Sequence, residues 1–488
     1  MEQSGLIREK WNRQGDDYLR RTILQAAGKQ KQYYSIRPDG APDCAPDAPF
    51  RPSEFWVAGQ FAAQYGIDWR FDHTWHNWLH WKRSLWGLDE KAHVLQVAGV
   101  VARSIRGLIS PQTDGDTAKK ILSYSLKCEN QHTLTDILKL AATFPGLAIT
   151  QKNIDSDPDL FNCMNGTIEL RDTTFREHRR DDLLTKRCNA AYDPAAACPE
   201  FLAFVYWLSC GDADMVRHLQ QFFGICLTGE PLQYLWFWYG LGANGKSVLW
   251  NVLSDFLGDY SLKSPFDMLS REGGGIPNDV ARLVGSRLVI CSEIPGNTSL
   301  NEALVKELTG GDKLTARFLR CEFFEFLPTH KIVIIGNHRP RVRGQDSGIW
   351  RRLLLIPFEN TVPEGERRPM PDMLAIFKKE YSGILNWALA GLADYRKNGL
   401  FIFDRAKVAR EEYRNSEDVL SEFLTGLMQE PNATAPGKDL YLRYLSITGG
   451  RPMTQRNFYE SLRERGFTSR KAMTGIVFDG LSIPTGGF

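Results

Sequence analysis

Residues 240–247 read Gly-Leu-Gly-Ala-Asn-Gly-Lys-Ser, and the apolar run 234–239, Tyr-Leu-Trp-Phe-Trp-Tyr, stands immediately before them. The octet is a complete G-x-x-x-x-G-K-[ST] phosphate loop, and the run has the length and composition of a buried strand. Glycine at positions 240, 242 and 245 lets successive backbone N–H groups turn toward phosphate oxygens. Ala243 and Asn244 complete the turn, Lys246 reaches the terminal phosphates and the Ser247 hydroxyl can sit on Mg2+. Residues 248–257 then carry apolar side chains at helical spacing, so a helix N-terminus faces the same anion. Strand, loop and helix together predict an ATP-binding α/β domain. The alternative is a glycine-rich turn that happens to contain Lys-Ser.

Hydrolysis needs a carboxylate at the end of a neighbouring strand to polarise the attacking water. Leu288-Val289-Ile290-Cys291-Ser292-Glu293 supplies one, with Ser292 where the commoner pattern has a metal-associated Asp. Glu293 is the expected general base, with Mg2+ relying on Ser247, the phosphates and Glu293 through water. A second buried run, 331–336, closes on Asn337, an amide that can hold the attacking water and sense the γ-phosphate; alone, such an Asn is usually a turn residue. Arg351 and Arg352 precede another apolar run at 353–358, and one of them can reach a neighbouring subunit's γ-phosphate as an arginine finger. Surface ion pairs are the plainer use of such a pair. Between the two strands, 313–326 forms two alternating stretches around a polar apex, a hairpin carrying Lys313, Arg317 and Arg320. Residues 313–356 hold nine Lys/Arg against three acids, so this hairpin is a candidate contact for a phosphate backbone, although charged runs are commonly only solvated.

At 488 residues the chain is too long for one core, and about 150 residues per domain suggests roughly three. Its net charge of +2 neither argues for nucleic acid nor excludes it, because clustering and not the total makes an electrostatic footprint. Nine cysteines without a C-x-x-C pair argue for buried thiols in a reducing compartment and against zinc. No run approaches the ~20 apolar residues of a membrane span, and the N-terminus lacks a secretory pattern, so a cytoplasmic protein is expected. Residues 53–142 read as mostly helical and are rich in tryptophan (Trp56, Trp69, Trp75, Trp78, Trp81, Trp86), whose commoner fate is packing and not base stacking. Short strands are expected within 161–192, a helical lead-in over 199–227, and helices around 372–395 and 405–427. Helical patterns at 438–446 and 454–465 followed by a short strand pair give the order of a winged helix.

These residues resemble a known family: the superfamily 3 helicases among the AAA+ ATPases, specifically the helicase part of phage, plasmid and integrative-element primase-helicases related to the poxvirus primase-helicase. The resemblance rests on the phosphate loop and on Asp159-Leu160-Phe161-Asn162 with Asn165-Gly166-Thr167. It rests more specifically on Lys306-Glu307-Leu308-Thr309-Gly310-Gly311-Asp312, Asn337-His338, and Ile349-Trp350-Arg351-Arg352 with Ile356-Pro357-Phe358. It implies an α/β fold in which an AAA+ P-loop core with a parallel three-layer sheet joins a mostly helical N-terminal domain and a C-terminal winged helix. The expected divisions are a tail and linker at 1–52, a helicase-associated domain at 53–198, the ATPase at 199–362, a helical connector at 363–415 and the winged helix at 416–488. It further implies a homo-hexameric ring driven by ATP and Mg2+ along single-stranded DNA, at a nucleoid or viral replication site. The hairpin would line the pore, and Arg456 and Arg470 of the winged helix are possible contacts to origin duplex DNA. Only about 52 residues precede the match, too few for a primase core, so a separate primase or polymerase is the expected partner. Two other readings stay open: an initiator that melts an origin with little unwinding, and a nucleotide-gated DNA-binding switch.

Overall fold

The computed structural model describes residues 50–483 apart from 271–276, 293–297, 320–321, 343–345, 448–453 and 474. The N-terminal tail expected before residue 50, Glu293 and Arg320 therefore lie outside the described residues. The chain divides into two compact units, residues 1–154 and 155–488.

The first unit opens with a helix at Glu54–Tyr65, whose first turn is capped by the Ser53 hydroxyl accepting from Trp56 N–H. Three strands follow where mostly helix was expected: β1 (Trp69–Asp72), β2 (Asn77–Trp81) and β3 (Trp86–Leu88). They form an antiparallel meander, and β4 (Ala148–Ile149) joins β1 in parallel. Aromatic residues favour a pleated, half-buried surface, and here Trp69 and Trp86 are buried while Trp78 packs from the margin. Helices at His93–Ser104, Gly115–Cys128 and Gln131–Ala141 complete this unit. Trp56, Trp69 and Trp86 serve packing, as the commoner reading had it.

The second unit begins with a small antiparallel sheet of β5 (Leu160–Asn162), β6 (Thr167–Glu169) and β7 (Thr174–Arg176). Residues 155–198, grouped above with the N-terminal part, pack here: Phe161, Ile168 and Cys198 share one core with Trp236 and Leu249. Its centre is a parallel sheet of β8 (Leu235–Tyr239), β9 (Ser261–Pro265), β10 (Leu288–Ser292), β13 (Lys331–Gly336) and β14 (Leu353–Pro357), in the spatial order β14-β8-β13-β10-β9. Strand alternation divides these side chains between two cores. Trp236, Trp238, Ile290, Val333 and Leu354 face helices at Pro199–Leu208, Ala213–Ile225, Lys246–Leu257 and Tyr381–Asn398. Leu235, Phe237, Val289, Ile334 and Leu355 face helices at Glu302–Leu308 and Asp404–Glu417. Both faces are covered, as near-continuous apolar strands require.

The small sheet is bolted to the amino end of the parallel one by a buried cation. Arg287, just before β10, donates to Leu160 O at 2.6 Å and to Leu227 O, and its guanidinium lies 4.4 Å from the Tyr260 ring centre. Between β10 and β13 the chain inserts a hairpin, β11 (Leu314–Ala316) paired with β12 (Phe324–Phe326). Helices at Met370–Lys378 and Tyr381–Asn398 follow β14. The C-terminal part places helices at Val419–Thr425, Gly437–Ile447 and Gln455–Glu464 around an antiparallel sheet of β15 (Met428–Pro436), β16 (Ser469–Ala472) and β17 (Gly475–Ser482), with its own core of Phe423, Tyr444, Phe458 and Phe478. Among the described residues no helix is long and apolar enough to cross a membrane.

Candidate active site

The phosphate loop leaves the carboxyl end of β8 and runs into the helix Lys246–Leu257. Its shape depends on glycine at two positions. Gly245 has φ +80°, and a Cβ there would stand 2.8 Å from Leu208 Cδ1 and 3.3 Å from the rings of Phe204 and Trp207. Gly240 faces the carbonyl of Phe358, which would lie 2.1 Å from any Cβ. Gly242 meets nothing, and Gly242, Ala243 and Ser247 are exposed, so the crown of the loop and the hydroxyl at the head of the helix are open.

Asn244 is buried and acts as a strut. Its amide donates to Phe358 O at 3.0 Å, while its Oδ1 accepts from Lys246 N at 3.3 Å and from Lys246 Nζ at 3.1 Å. The segment after β14 returns the grip: Phe358 N–H donates to Tyr239 O at 2.8 Å and Val362 N–H to Ala243 O at 2.8 Å. The Asn360 amide fixes Trp207 O at 2.7 Å. Lys246 Nζ also donates to Gly240 O at 2.8 Å, and burial pushes its pKa down to about 8, no carboxylate among the described residues offsetting the desolvated ammonium.

The third acceptor of Lys246 Nζ is Asn337 Oδ1, at 3.4 Å. Asn337 follows β13 directly, and β13 lies beside β8, with Gly336 in register with Tyr239. On the other side of β13 is β10, whose last residue Ser292 pairs with Ile335. The sheet order thus sets the ends of β8, β13 and β10 side by side, bringing Lys246 and Asn337 together and ending β10 one residue before Glu293.

The two arginines part company. Arg352 is buried at 8% exposure and donates to Gly348 O at 2.7 Å, whereas Arg351 is exposed. In the hairpin, Lys313 stands 3.7 Å from Glu325, and Arg317 lies over the Phe323 ring at 4.7 Å. Arg456 and Arg470 are exposed but each holds one carboxylate, Glu460 at 3.0 Å and Asp479 at 3.1 Å. Among the cysteines, Cys128, Cys163, Cys188, Cys198, Cys226 and Cys291 are buried and Cys210 is exposed; Cys44 and Cys321 lie outside the described residues.

Sequence reasoning missed the supports. The Phe358–Val362 clamp carries no motif, since its bonds are made by backbone atoms. Arg339, two residues beyond Asn337, lies 4.6 Å over Tyr239 and 5.5 Å from the Tyr413 ring centre, linking the end of β8 to the helix Asp404–Glu417. An arginine two places past the strand-end amide was the available signal.

Residues 58–210 match the family described as D5 N terminal like. Over that stretch the chain is similar to the D5-like primase-helicases. Its similarities run to large viral proteins. It is 25% identical over 292 residues to 184R of Invertebrate iridescent virus 6, a protein named as a helicase, covering 56% of this chain and 29% of that one. Over 398 residues it is 26% identical to 121R of Invertebrate iridescent virus 3, also named as a helicase, covering 72% and 42%. Over 213 residues it is 32% identical to C962R of African swine fever virus, named as a primase, covering 41% and 22%. The chain thus spans under half the length of each of these curated relatives. The apo A form of the NrS-1 C terminal region shares its fold, with a TM-score of 0.51 at 12% identity, covering 89% of this chain and 100% of that one.

Proposed function

We propose that this chain is an ATP-driven DNA helicase of the superfamily 3, AAA+ kind, acting as a ring on single-stranded DNA during replication of a virus or mobile element. One observation carries the reading: the phosphate-loop Lys246 and the strand-end Asn337 share a hydrogen bond at 3.4 Å across adjacent parallel strands. A glycine-rich turn of no function has no reason to bury a lysine against three acceptors. The strand order, with β8 between β14 and β13 and β10 next, supports the AAA+ assignment. The helices and three-stranded sheet at the C-terminus are compatible with a winged helix.

In this mechanism Lys246 and the loop N–H groups hold the β- and γ-phosphates, and Asn337 fixes the attacking water. Glu293 takes the water's proton as the oxygen attacks phosphorus in line and the bond to the β-phosphate oxygen breaks. The open Ser247 hydroxyl fits a Mg2+ ligand, and the ion when bound neutralises phosphate charge. Arg351, exposed where Arg352 is buried, is the residue we assign to a neighbour's nucleotide.

ATPase rates with and without single-stranded DNA, over a protein concentration series with mass photometry, test the whole. DNA-stimulated turnover that appears only with rings is expected. Glu293→Gln should keep ATP and assembly while lowering turnover at least ~10^2-fold. Arg351→Ala should behave likewise, and mixing it with Glu293→Gln should restore activity where one subunit's arginine meets another's intact glutamate. DNA-indifferent turnover by monomers refutes both ring and substrate.

A further inference from the structure

Buried and exposed residues alternate along 313–319 and 323–327 of the hairpin between β10 and β13, and Glu322 before the second stretch is exposed as well. Leu314, Ala316 and Phe326 are buried against the second core, with Phe318 and Phe324 packed beside them, ring centres 5.9 Å apart and 25° between planes. The opposite face carries Lys313, Thr315, Arg317, Leu319, Phe323, Glu325 and Leu327, all exposed. A solvated face calls for polar residues throughout. This one instead presents Leu319 at 76%, Phe323 at 56% and Leu327 at 59% exposure.

The charges on this face are not equivalent. Lys313 is offset by Glu325, while Arg317 has no carboxylate partner among the described residues and lies over Phe323. The first strand of the hairpin is held at its outer end, because Leu319 N–H donates to Asn278 Oδ1 at 3.4 Å, at the helix Pro277–Ala281. An outward aromatic ring with a guanidinium beside it that has no carboxylate partner among the described residues suits a ligand that alternates flat π-faces with anions, which is single-stranded nucleic acid. An apolar partner surface would be poorly served by the cation, and an acidic one by the ring.

We infer that Phe323 is a base-stacking platform, receiving one unpaired nucleobase while Arg317 takes an adjoining phosphate. The inference rests on the helicase reading and deepens it, by giving the hairpin a base-contacting residue in addition to its cations.

Fluorescence anisotropy with oligo-dT, and with an oligonucleotide of equal length carrying abasic sites, tests it across a salt series. Phe323→Ala should weaken oligo-dT binding about five-fold or more, since stacking is worth roughly 1–3 kcal/mol per base. It should leave abasic binding and the salt slope unchanged. Phe323→Trp should retain binding, and Arg317→Ala should lower the slope by roughly 0.7 per lost phosphate contact. An equal loss on abasic DNA, or full binding by Phe323→Leu, overturns the stacking role in favour of plain apolar contact. Wild-type binding that Phe323→Ala leaves untouched overturns the assignment alone. Wild-type protein that binds neither oligonucleotide overturns the helicase reading and this assignment with it.

Discussion

Replacing Asn244 by Ala should cost the second unit about 2–4 kcal/mol and loosen nucleotide binding, although no atom of Asn244 needs to touch a phosphate. The substitution removes one donor and one acceptor from a buried position. Phe358 O loses the side-chain donor at 3.0 Å, and an orphaned buried carbonyl costs about 1–3 kcal/mol. Lys246 Nζ keeps Gly240 O at 2.8 Å and Asn337 Oδ1 at 3.4 Å, so its loss is partial, roughly 1 kcal/mol. An unfolding entropy of about 2.1 cal/mol/K per residue gives a unit spanning residues 155–488 roughly 0.7 kcal/mol/K. A Tm drop of about 3–6 °C follows. ADP should bind at least about tenfold more weakly, because the loop must be reordered before it can cradle phosphate, an energy of about 1.4 kcal/mol. Differential scanning fluorimetry and isothermal titration calorimetry measure the two effects. Asn244→Asp separates the causes: it keeps an acceptor for Lys246 but sets a carboxylate against Phe358 O and the incoming phosphates, so its ADP affinity should fall below that of the alanine variant. An alanine variant that melts within a degree of wild type and binds ADP normally would refute the strut.

Lys246 predicts a loss of nucleotide affinity at lower pH than an ordinary lysine site would show. With its unliganded pKa near 8 and the phosphates favouring the ammonium, ADP affinity should be flat below pH 8 and fall up to tenfold per pH unit above it. Proton uptake measured by calorimetry in buffers of different ionisation enthalpy checks this, and Lys246→Met should abolish it. Buried Lys331, its pKa pushed down to about 7, binds one proton fewer than the unfolded chain from pH 7 to about 10, so its contribution to stability rises with pH there. Urea midpoints of wild type minus Lys331→Met should therefore climb over that window, by at most about 1.4 kcal/mol per pH unit; a flat difference excludes the shift. Arg287→Met should cost about 2–6 kcal/mol by orphaning Leu160 O and Leu227 O, with denaturant unfolding as the readout.

The core strands were legible because they are buried on both faces. Residues 331–336 form β13 over those very residues, and the runs at 234–239 and 353–358 each differ from their strands by one terminal residue. β9 was not legible, since Ser-Leu-Lys-Ser-Pro sits at an edge with its pattern broken by polar residues. The strands β1 to β3 are not legible in the sequence, because they are only three to five residues long and their tryptophans hide the alternation. At the site, the motif named Lys246 and Asn337, but their 3.4 Å approach depends on which strand neighbours β8, a fact of topology absent from local spacing. The difference between Arg351 and Arg352 was likewise invisible, because adjacent identical residues are sorted only by the turn that carries them into β14.

The two feet of the hairpin are register partners, Leu314 opposite Phe326, and their side chains are sunk in a core shared with the large sheet. The residues between them enter and leave at a separation fixed by that pairing. Beyond Leu319 and before Phe323 the tip can therefore be exchanged: loops of other lengths, or a short foreign peptide, can be grafted there without asking the strands of the large sheet to move. A lineage of such proteins can thus vary this tip while inheriting the large sheet unchanged, and an engineer can do the same in one cloning step.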